Sequence, residues 1–260
     1  MKISMPKIVA SFGLKSILIL LFAILIFVLS SSGKNVCKQV EVNILSKKSN
    51  LTFVTDEEVR AIIEQYYHRS PENLSLSELN IVDLENELLK HPFIKNADVY
   101  IDVLNNLNIR IEQKYPLLRV HNLKGQQFYF GEDAEPFPVS TKQSVRCLLA
   151  SGNIYYNPEK EHYAPLTADV PIFNLFKIAE YIYKTPLLNA LIEQIFVTKN
   201  QEIILIPKIG KQPINLGTAE DYAEKLTRLT TFYEKAMNNN NLSNFNKIDL
   251  RFKNQIVCTH

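Results

Sequence analysis

Five histidines, His68, His91, His121, His162 and His260, are the first residues to weigh for metal or acid-base chemistry, and each stands alone. None has a second histidine one helical turn away, and no His-Glu-x-x-His run occurs. Cys258 and His260 share a strand parity, but two ligands on a fraying strand end hold a metal poorly. Glu57/Glu58 and Glu132/Glu135 offer paired carboxylates of the kind that act as general acid and base. Nothing near them in sequence supplies the apolar pocket that would raise one carboxyl pKa, so they read as helix caps and turns. Ser140, Ser144 and Ser151 lack the Gly-x-Ser-x-Gly elbow of a nucleophilic serine. The seven glycines never fall within five residues of one another, which excludes both a dinucleotide fingerprint and a phosphate loop. These residues predict no catalytic, cofactor-binding or metal site and no small-molecule substrate.

What must be positioned is therefore a surface rather than a reaction centre. The 260 residues are 46% hydrophobic and 22% charged, enough apolar material for a real core. Lysine and arginine, 29 in all, are interspersed with 27 acidic residues, so no basic stripe marks a nucleic-acid footprint. The tyrosines and phenylalanines are spaced like core and interface residues, not like stacking platforms. Cys37, Cys147 and Cys258 lie too far apart for a disulfide framework or a zinc ribbon.

From Ser16 to Gly33 there is no charged residue, and Ile17 to Leu29 is an unbroken apolar run. Such a stretch predicts a transmembrane helix over 16–33. A cleaved signal peptide is the rival reading, because Ser30, Ser31, Ser32 and Gly33 resemble a small-residue cleavage site. Lys2, Lys7 and Lys15 before the run are answered by Lys34, Lys38, Lys47 and Lys48 after it. Short basic tails tend to stay in the cytoplasm while long domains translocate, which predicts residues 1–15 inside and 34–260 outside.

Between 36 and 114, Val36, Lys38, Val40, Val42 and Ile44 share one strand parity. Thr55 and Glu58 form a capping box, after which Val59, Ile62, Ile63 and Tyr66 recur at helical spacing. Val82, Leu84, Leu88 and Leu89 predict a shorter helix stopped by Pro92. Val99, Ile101 and Val103, then Leu107, Ile109 and Ile111, alternate as a hairpin turning at Leu104, Asn105 and Asn106. Ile62, Leu88, Val99 and Ile109 are expected to be buried together.

Between 115 and 260, Leu118, Val120, Phe128, Phe130, Phe137 and Val139 mark short strands, and 145–152 reads as another. Pro171 opens a helix whose buried face is Ile172, Leu175, Phe176, Ala179, Ile182 and Tyr183. Pro186 breaks it, and a short helix follows through Leu187, Leu191 and Ile192. A hairpin over 195–207, a strand at 214–216, and a long helix carrying Tyr222, Leu226, Leu229, Tyr233 and Met237 precede the polar run Asn238 to Asn241.

The order β-α-α-β-β within 36–114 is that of a POTRA domain. His91-Pro92-Phe93-Ile94-Lys95-Asn96-Ala97-Asp98-Val99 resembles the FtsQ/DivIB family's segment in which a helix ends in a proline and an aromatic before a strand. Ile111-Glu112-Gln113-Lys114-Tyr115-Pro116 resembles that family's strand exit, with Gln113 where many members carry Glu. Ile248-Asp249-Leu250-Arg251-Phe252-Lys253-Asn254-Gln255-Ile256-Val257 is similar to its terminal hairpin, which turns at an Asn.

The resemblance implies an α+β protein with one N-terminal transmembrane helix, a POTRA domain and a C-terminal, mostly antiparallel β domain with long helices over 115–260. It implies a non-enzymatic scaffold of the bacterial division complex in the inner membrane, with periplasmic domains, enriched at the division site. Its partners would be FtsB-like and FtsL-like bitopic proteins and the septal wall synthesis machinery. A POTRA-containing envelope assembly or secretion protein is the alternative. It would normally carry a β-barrel of many alternating segments, which 115–260 does not supply. Ile248, Leu250 and Phe252 share one parity and are expected to pack inward, while Asp249, Arg251 and Lys253 stay polar. Asp249, Arg251, Phe252, Ile256 and Val257 are the expected partner-binding residues, on a strand that also reads simply as the last hairpin of the core.

Overall fold

A computed structural model describes residues 22, 36–46, 51–161, 163–210, 212–238 and 245–259. The predicted tail at 1–15 and membrane span at 16–33 lie outside the described residues, save for Phe22. Among the described residues no helix is long and apolar enough to cross a membrane. The chain divides into two compact units. Among the described residues, one holds those up to Asn43, Asp56–Leu88 and Ala97–Arg110, and the other those between Ile44 and Thr55, Leu89–Asn96 and those from Ile111 onward.

The first elements are β1 (Val40–Leu45), α1 (Asp56–Tyr67), α2 (Ile81–Leu89), β2 (Ile94–Ile101) and β3 (Leu107–Gln113), with the strands in the order β1-β3-β2. Three acidic residues, Asp56, Glu57 and Glu58, fill the first turn of α1, where the helix dipole favours negative charge. Asn80 caps α2: its Oδ1 accepts from Asp83 N at 3.3 Å while its Nδ2 donates to the Asp83 carboxylate at 2.5 Å.

Several expectations shift by a residue or two. β1 begins at Val40 instead of Val36, because Val36 bridges to Ser75 and Cys37 N donates to Leu74 O, drawing 36–37 away from the strand parity. On α1 the core positions are Val59 and Ile63, and Ile62 is only half-buried. Leu88, Val99 and Ile109 are buried as expected. Val82 and Leu89 of α2 face outward, since Leu84 and Leu88 already supply its narrow apolar stripe. Val103 is not a strand residue: at 98% exposure it belongs to the hairpin turn. There the Asp102 carboxylate accepts from Leu104 N at 2.8 Å, Asn106 N at 2.9 Å and Asn106 Nδ2 at 3.0 Å, and Asn105 adopts φ 67°. Asn tolerates that left-handed backbone better than most residues.

The second unit is built on β4 (Pro116–His121), β5 (Gln127–Gly131), β6 (Pro136–Pro138), β7 (Leu148–Gly152), α3 (Ile172–Lys184), α4 (Pro186–Leu191), β8 (Ile192–Val197), β9 (Ile203–Pro207), β10 (Ile214–Gly217), α5 (Tyr222–Asn238), β11 (Lys247–Asp249) and β12 (Val257–Thr259). The strands form one nine-stranded sheet in the order β12-β11-β10-β9-β8-β7-β4-β5-β6. Five neighbouring pairs are antiparallel. Three are parallel: β4 with β7, β7 with β8, and β10 with β11. Two of the parallel pairs follow from helical crossovers, α3 and α4 between β7 and β8 and α5 between β10 and β11, since a tight turn cannot join parallel neighbours.

The helices cover an apolar layer of this sheet. Ile172, Leu175, Phe176, Ile178, Ala179 and Ile182 of α3, and Leu226, Leu229 and Tyr233 of α5, join Leu118, Val120, Phe128, Phe130, Ile195, Leu205, Ile214 and Ile248 in one core cluster. Tyr183, expected on the buried face of α3, is only half-buried, packing against the cluster one residue before the end of the helix.

Candidate functional site

The residues singled out at the end of the chain surround the last two strands. β11 lies parallel to β10, with Ile248 N donating to Pro213 O at 3.1 Å and Leu250 N to Asn215 O at 2.8 Å. Strand alternation then turns the main-chain groups of Lys247 and Asp249 the other way, toward their partners Thr259 and Val257 in β12. The same alternation leaves the N–H and C=O of Cys258 on the outer side of β12, at the edge of the sheet.

The segment between the two strands is held from below by α5. Arg228 Nη1 donates to the carbonyls of Phe252 at 2.7 Å and Gln255 at 2.9 Å, and its Nη2 to that of Leu250 at 3.2 Å. A planar guanidinium suits this role because its donors diverge in a fixed fork. Arg228 Nε is buried without a hydrogen-bond acceptor among the described residues, with the Glu224 carboxylate 3.8 Å away. Asn254 makes the turn at φ 58°.

Asp249 and Arg251 meet directly. Arg251 Nη2 lies 2.8 Å from Asp249 Oδ2, Arg251 Nε 3.0 Å from Oδ1, and Arg251 N 3.1 Å from the same Oδ1. Arg251 Nη1 also reaches Glu202 Oε1 at 3.3 Å. Burial acts to raise the Asp249 pKa, but the hydrogen bonds and charge of Arg251 outweigh it and hold the carboxyl below its usual value. Arg251 needs a bare neighbour: a Cβ on Gly217, which sits at φ 72°, would lie 2.7 Å from Arg251 Cγ. Burial also pushes the Cys258 thiol up, and pushes the Tyr233 phenol up to about 12.

The expected in-and-out pattern is only partly realised. Ile248 and Leu250 are buried, but so is Asp249, and Phe252 is 45% exposed. The strand ends at Asp249, so the alternation stops before Phe252 and the loop carries that ring outward. Ile256 packs against the core cluster and Val257 is half-buried. Thus Asp249 and Arg251 form one unit, while Phe252, Ile256 and Val257 are distributed along the loop and the edge strand. Arg228, Glu202 and Gly217 were not singled out in the sequence. Arg228 acts on main-chain carbonyls, which have no sequence signature; Gly217, closing an apolar strand, was a visible sign of a special backbone.

The second unit holds another residue of note, away from the last strands. Gln113 is buried, and its Oε1 accepts from Phe53 N at 2.7 Å and Val54 N at 2.9 Å while its Nε2 donates to Leu51 O at 3.4 Å. A glutamate carboxylate, with no proton to donate, could not make the third bond.

A model of the family described as FtsQ/DivIB, C-terminal related, matches residues 115–259, more than half of the chain, and a POTRA-like domain model matches residues 35–112. The chain belongs to the FtsQ/DivIB family. This is a family of non-enzymatic cell-division proteins, and membership makes a role in division complexes the coarse function of the chain. No curated protein matches it. The FtsQ/DivIB match contains the whole nine-stranded sheet, from β4 to β12.

Proposed function

We propose that this protein is a membrane-anchored scaffold whose β12 edge captures an FtsB-like bitopic partner by strand addition. It would bind an FtsL-like bitopic protein as well and link both to the septal wall synthesis machinery. In this reading residues 1–15 are cytoplasmic, 16–33 span the inner membrane, and a POTRA domain over 36–114 and a β domain over 115–260 lie in the periplasm. Asp249, Arg251, Phe252, Ile256 and Val257 contribute the side chains around the edge.

The observation that carries this reading is the contrast between β12 and the other sheet edges. Gln39 O faces β3, accepting from Leu107 N, so alternation turns Val40 O outward, where Arg60 Nη2 caps it at 2.7 Å. The Val99 N–H of β2 is taken by Glu85 Oε1 at 2.8 Å. In β6 only Phe137 of Pro136–Pro138 has a backbone N–H at all. Proline and side-chain caps of this kind blunt an edge against pairing. Among the described residues no comparable cap covers Cys258 N–H and C=O. Main-chain bonds there would provide affinity, and neighbouring side chains specificity.

The test is Cys258→Pro in the full-length protein, solubilised from membranes and assayed for capture of an FtsB-like protein. The substitution removes one outward donor that β11 does not use. Capture is expected to be lost with Cys258→Pro and kept with Cys258→Ser, while both retain the wild-type thermal transition. Unchanged capture by Cys258→Pro refutes the edge.

A further inference from the structure

A second recessed surface lies away from the β12 edge, where the parallel strands β4, β7 and β8 reach their carboxyl ends. The larger hollow there has a volume of about 570 Å³ and is lined by Ile154, Ile172, Leu175, Val197 and Ile203, all buried core residues that show one face to it. Tyr155 stands on its rim with 75% of its surface exposed. On the other side of Tyr155 is a smaller hollow of about 340 Å³, bordered by Leu123, an exposed aliphatic side chain, and by Tyr156. The two hollows share Ile154 and Tyr155, so they form one groove crossed by a tyrosine. Carboxyl ends of parallel strands are where open sheets with crossover helices commonly leave a crevice.

The walls are preformed. Gly152 takes φ 99° so closely beside β8 that a Cβ would sit 2.2 Å from Val197 O. Asn153 then donates from both N (2.9 Å) and Nδ2 (3.2 Å) to Val197 O, and Gln201 Nε2 donates to Asn153 O at 3.0 Å. Across Tyr155, Asn122 Nδ2 donates to Tyr156 O at 2.8 Å and Leu123 N to Ile154 O at 3.1 Å. A groove already held in shape costs little conformational entropy on binding.

Its charge selects the occupant. Lys199 borders the larger hollow, and Lys124 and Lys160 border the smaller, against a single carboxylate, Glu161. Among the described residues none of these three ammonium groups makes an ion pair. An apolar floor with unpaired cations at both ends fits an extended chain with a large apolar anchor and carboxylates on either side.

We propose that this groove docks an acidic, extended segment of a partner protein, seating an aromatic or large aliphatic side chain over Ile154, Leu175 and Ile203 and its acidic residues at Lys199 and at Lys124 with Lys160. The site is independent of the β12 edge, and its test does not involve that edge. The probe is a fluorescein-labelled synthetic heptapeptide with one central phenylalanine flanked by glutamates, followed by anisotropy against the full-length protein in detergent. Its twin carries lysine at every glutamate position.

The acidic peptide is expected to bind saturably and to weaken with added salt. Its affinity should fall at least about tenfold in the double variant Lys124→Glu, Lys199→Glu, because two attractions become repulsions. Tyr155→Ala should weaken it as well. All three side chains are exposed, so the variants should keep the wild-type thermal transition. Absence of saturable binding, equal binding of the lysine twin, or unchanged affinity in the double variant overturns the proposal. So does displacement of the peptide by an uncharged glycan oligomer, or self-association of the protein that is abolished by Tyr155→Ala, since each assigns the groove a different occupant.

Discussion

At the scale of single residues, two polar side chains do what the surrounding sequence does not advertise. Gln113 closes three hydrogen bonds on the segment Leu51–Val54, two as acceptor and one as donor. Gln113→Glu would leave Leu51 O facing a buried carboxylate with no proton to share, and an unsatisfied buried group of this kind costs about 1 to 3 kcal/mol. Chemical denaturation is expected to show that loss, with recovery when the medium is acidified enough to protonate the glutamate. Arg228 is the other. A hydrogen bond from a charged donor contributes about 1.5 to 3 kcal/mol. With three such bonds gone, Arg228→Ala should quicken amide exchange at Val257 and Thr259 at least about thirtyfold. Arg228→Lys should recover only part, since an ammonium cannot fork to Leu250, Phe252 and Gln255 together. Asp249 adds a pH dependence whose sign is fixed. Its folded pKa lies below the usual value, so its stabilisation is complete above the ordinary aspartate pKa of about 3.9 and is lost as pH falls through the depressed one. Protection of the β11–β12 pair should therefore persist at about pH 5 and fall away only in stronger acid, a dependence that Asp249→Asn removes.

At the scale of elements, the helices were legible and their phases nearly so. The apolar spacing in α3 and α5 is strong because each lays a wide stripe on the sheet, and Ile172, Leu175, Phe176, Ile182, Leu226, Leu229 and Tyr233 all fall where that spacing puts them. On α1 the adjacent pair Ile62 and Ile63 is ambiguous to periodicity, and the packing resolves it in favour of Ile63. Ile63→Ala should cost about 2 to 4 kcal/mol by leaving a cavity. The half-buried Ile62→Ala should cost roughly 1 kcal/mol or less, a contrast that urea titration of the two variants would measure. Strand parity was least legible where strands are short. β11 has three residues, so the alternation inferred through Phe252 outran the strand, and Asp249 could be buried because Arg251 folds back to neutralise it. The parallel pairings were not read from the sequence either. They depend on which strands the crossover helices bring side by side, a long-range fact that local patterns of two or four residues do not contain. Nor were the edge caps legible, because Arg60 and Glu85 act on main-chain atoms.

At the scale of the whole molecule, the last strand is joined to the rest by few bonds, and that makes its removal informative. Ile256 and Cys258 are partly buried against the core cluster, whereas Ile248 and Leu250 within it belong to the preceding segment. A chain ending at Lys253 would keep eight of the nine strands and nearly all of that core, so the sheet and the elements of 36–114 should remain folded. The apolar area given up on deleting 254–260 corresponds to about 3 kcal/mol at most. The new edge would be β11, whose main-chain groups at Lys247 and Asp249 lose their β12 partners. That edge is a poor substitute. It is as short as β12, but two of its three residues are charged where those of β12 are not, and charged edges resist pairing with another chain. Arg228 would also lose the Gln255 carbonyl from its fork. Deleting 254–260 is therefore expected to abolish partner capture from solubilised membranes while near-ultraviolet circular dichroism and the amide protection of 36–114 are retained. A truncated protein that still captured its partner with unchanged affinity would show that the terminal strand only closes the core, and the binding surface would have to be sought elsewhere on the sheet.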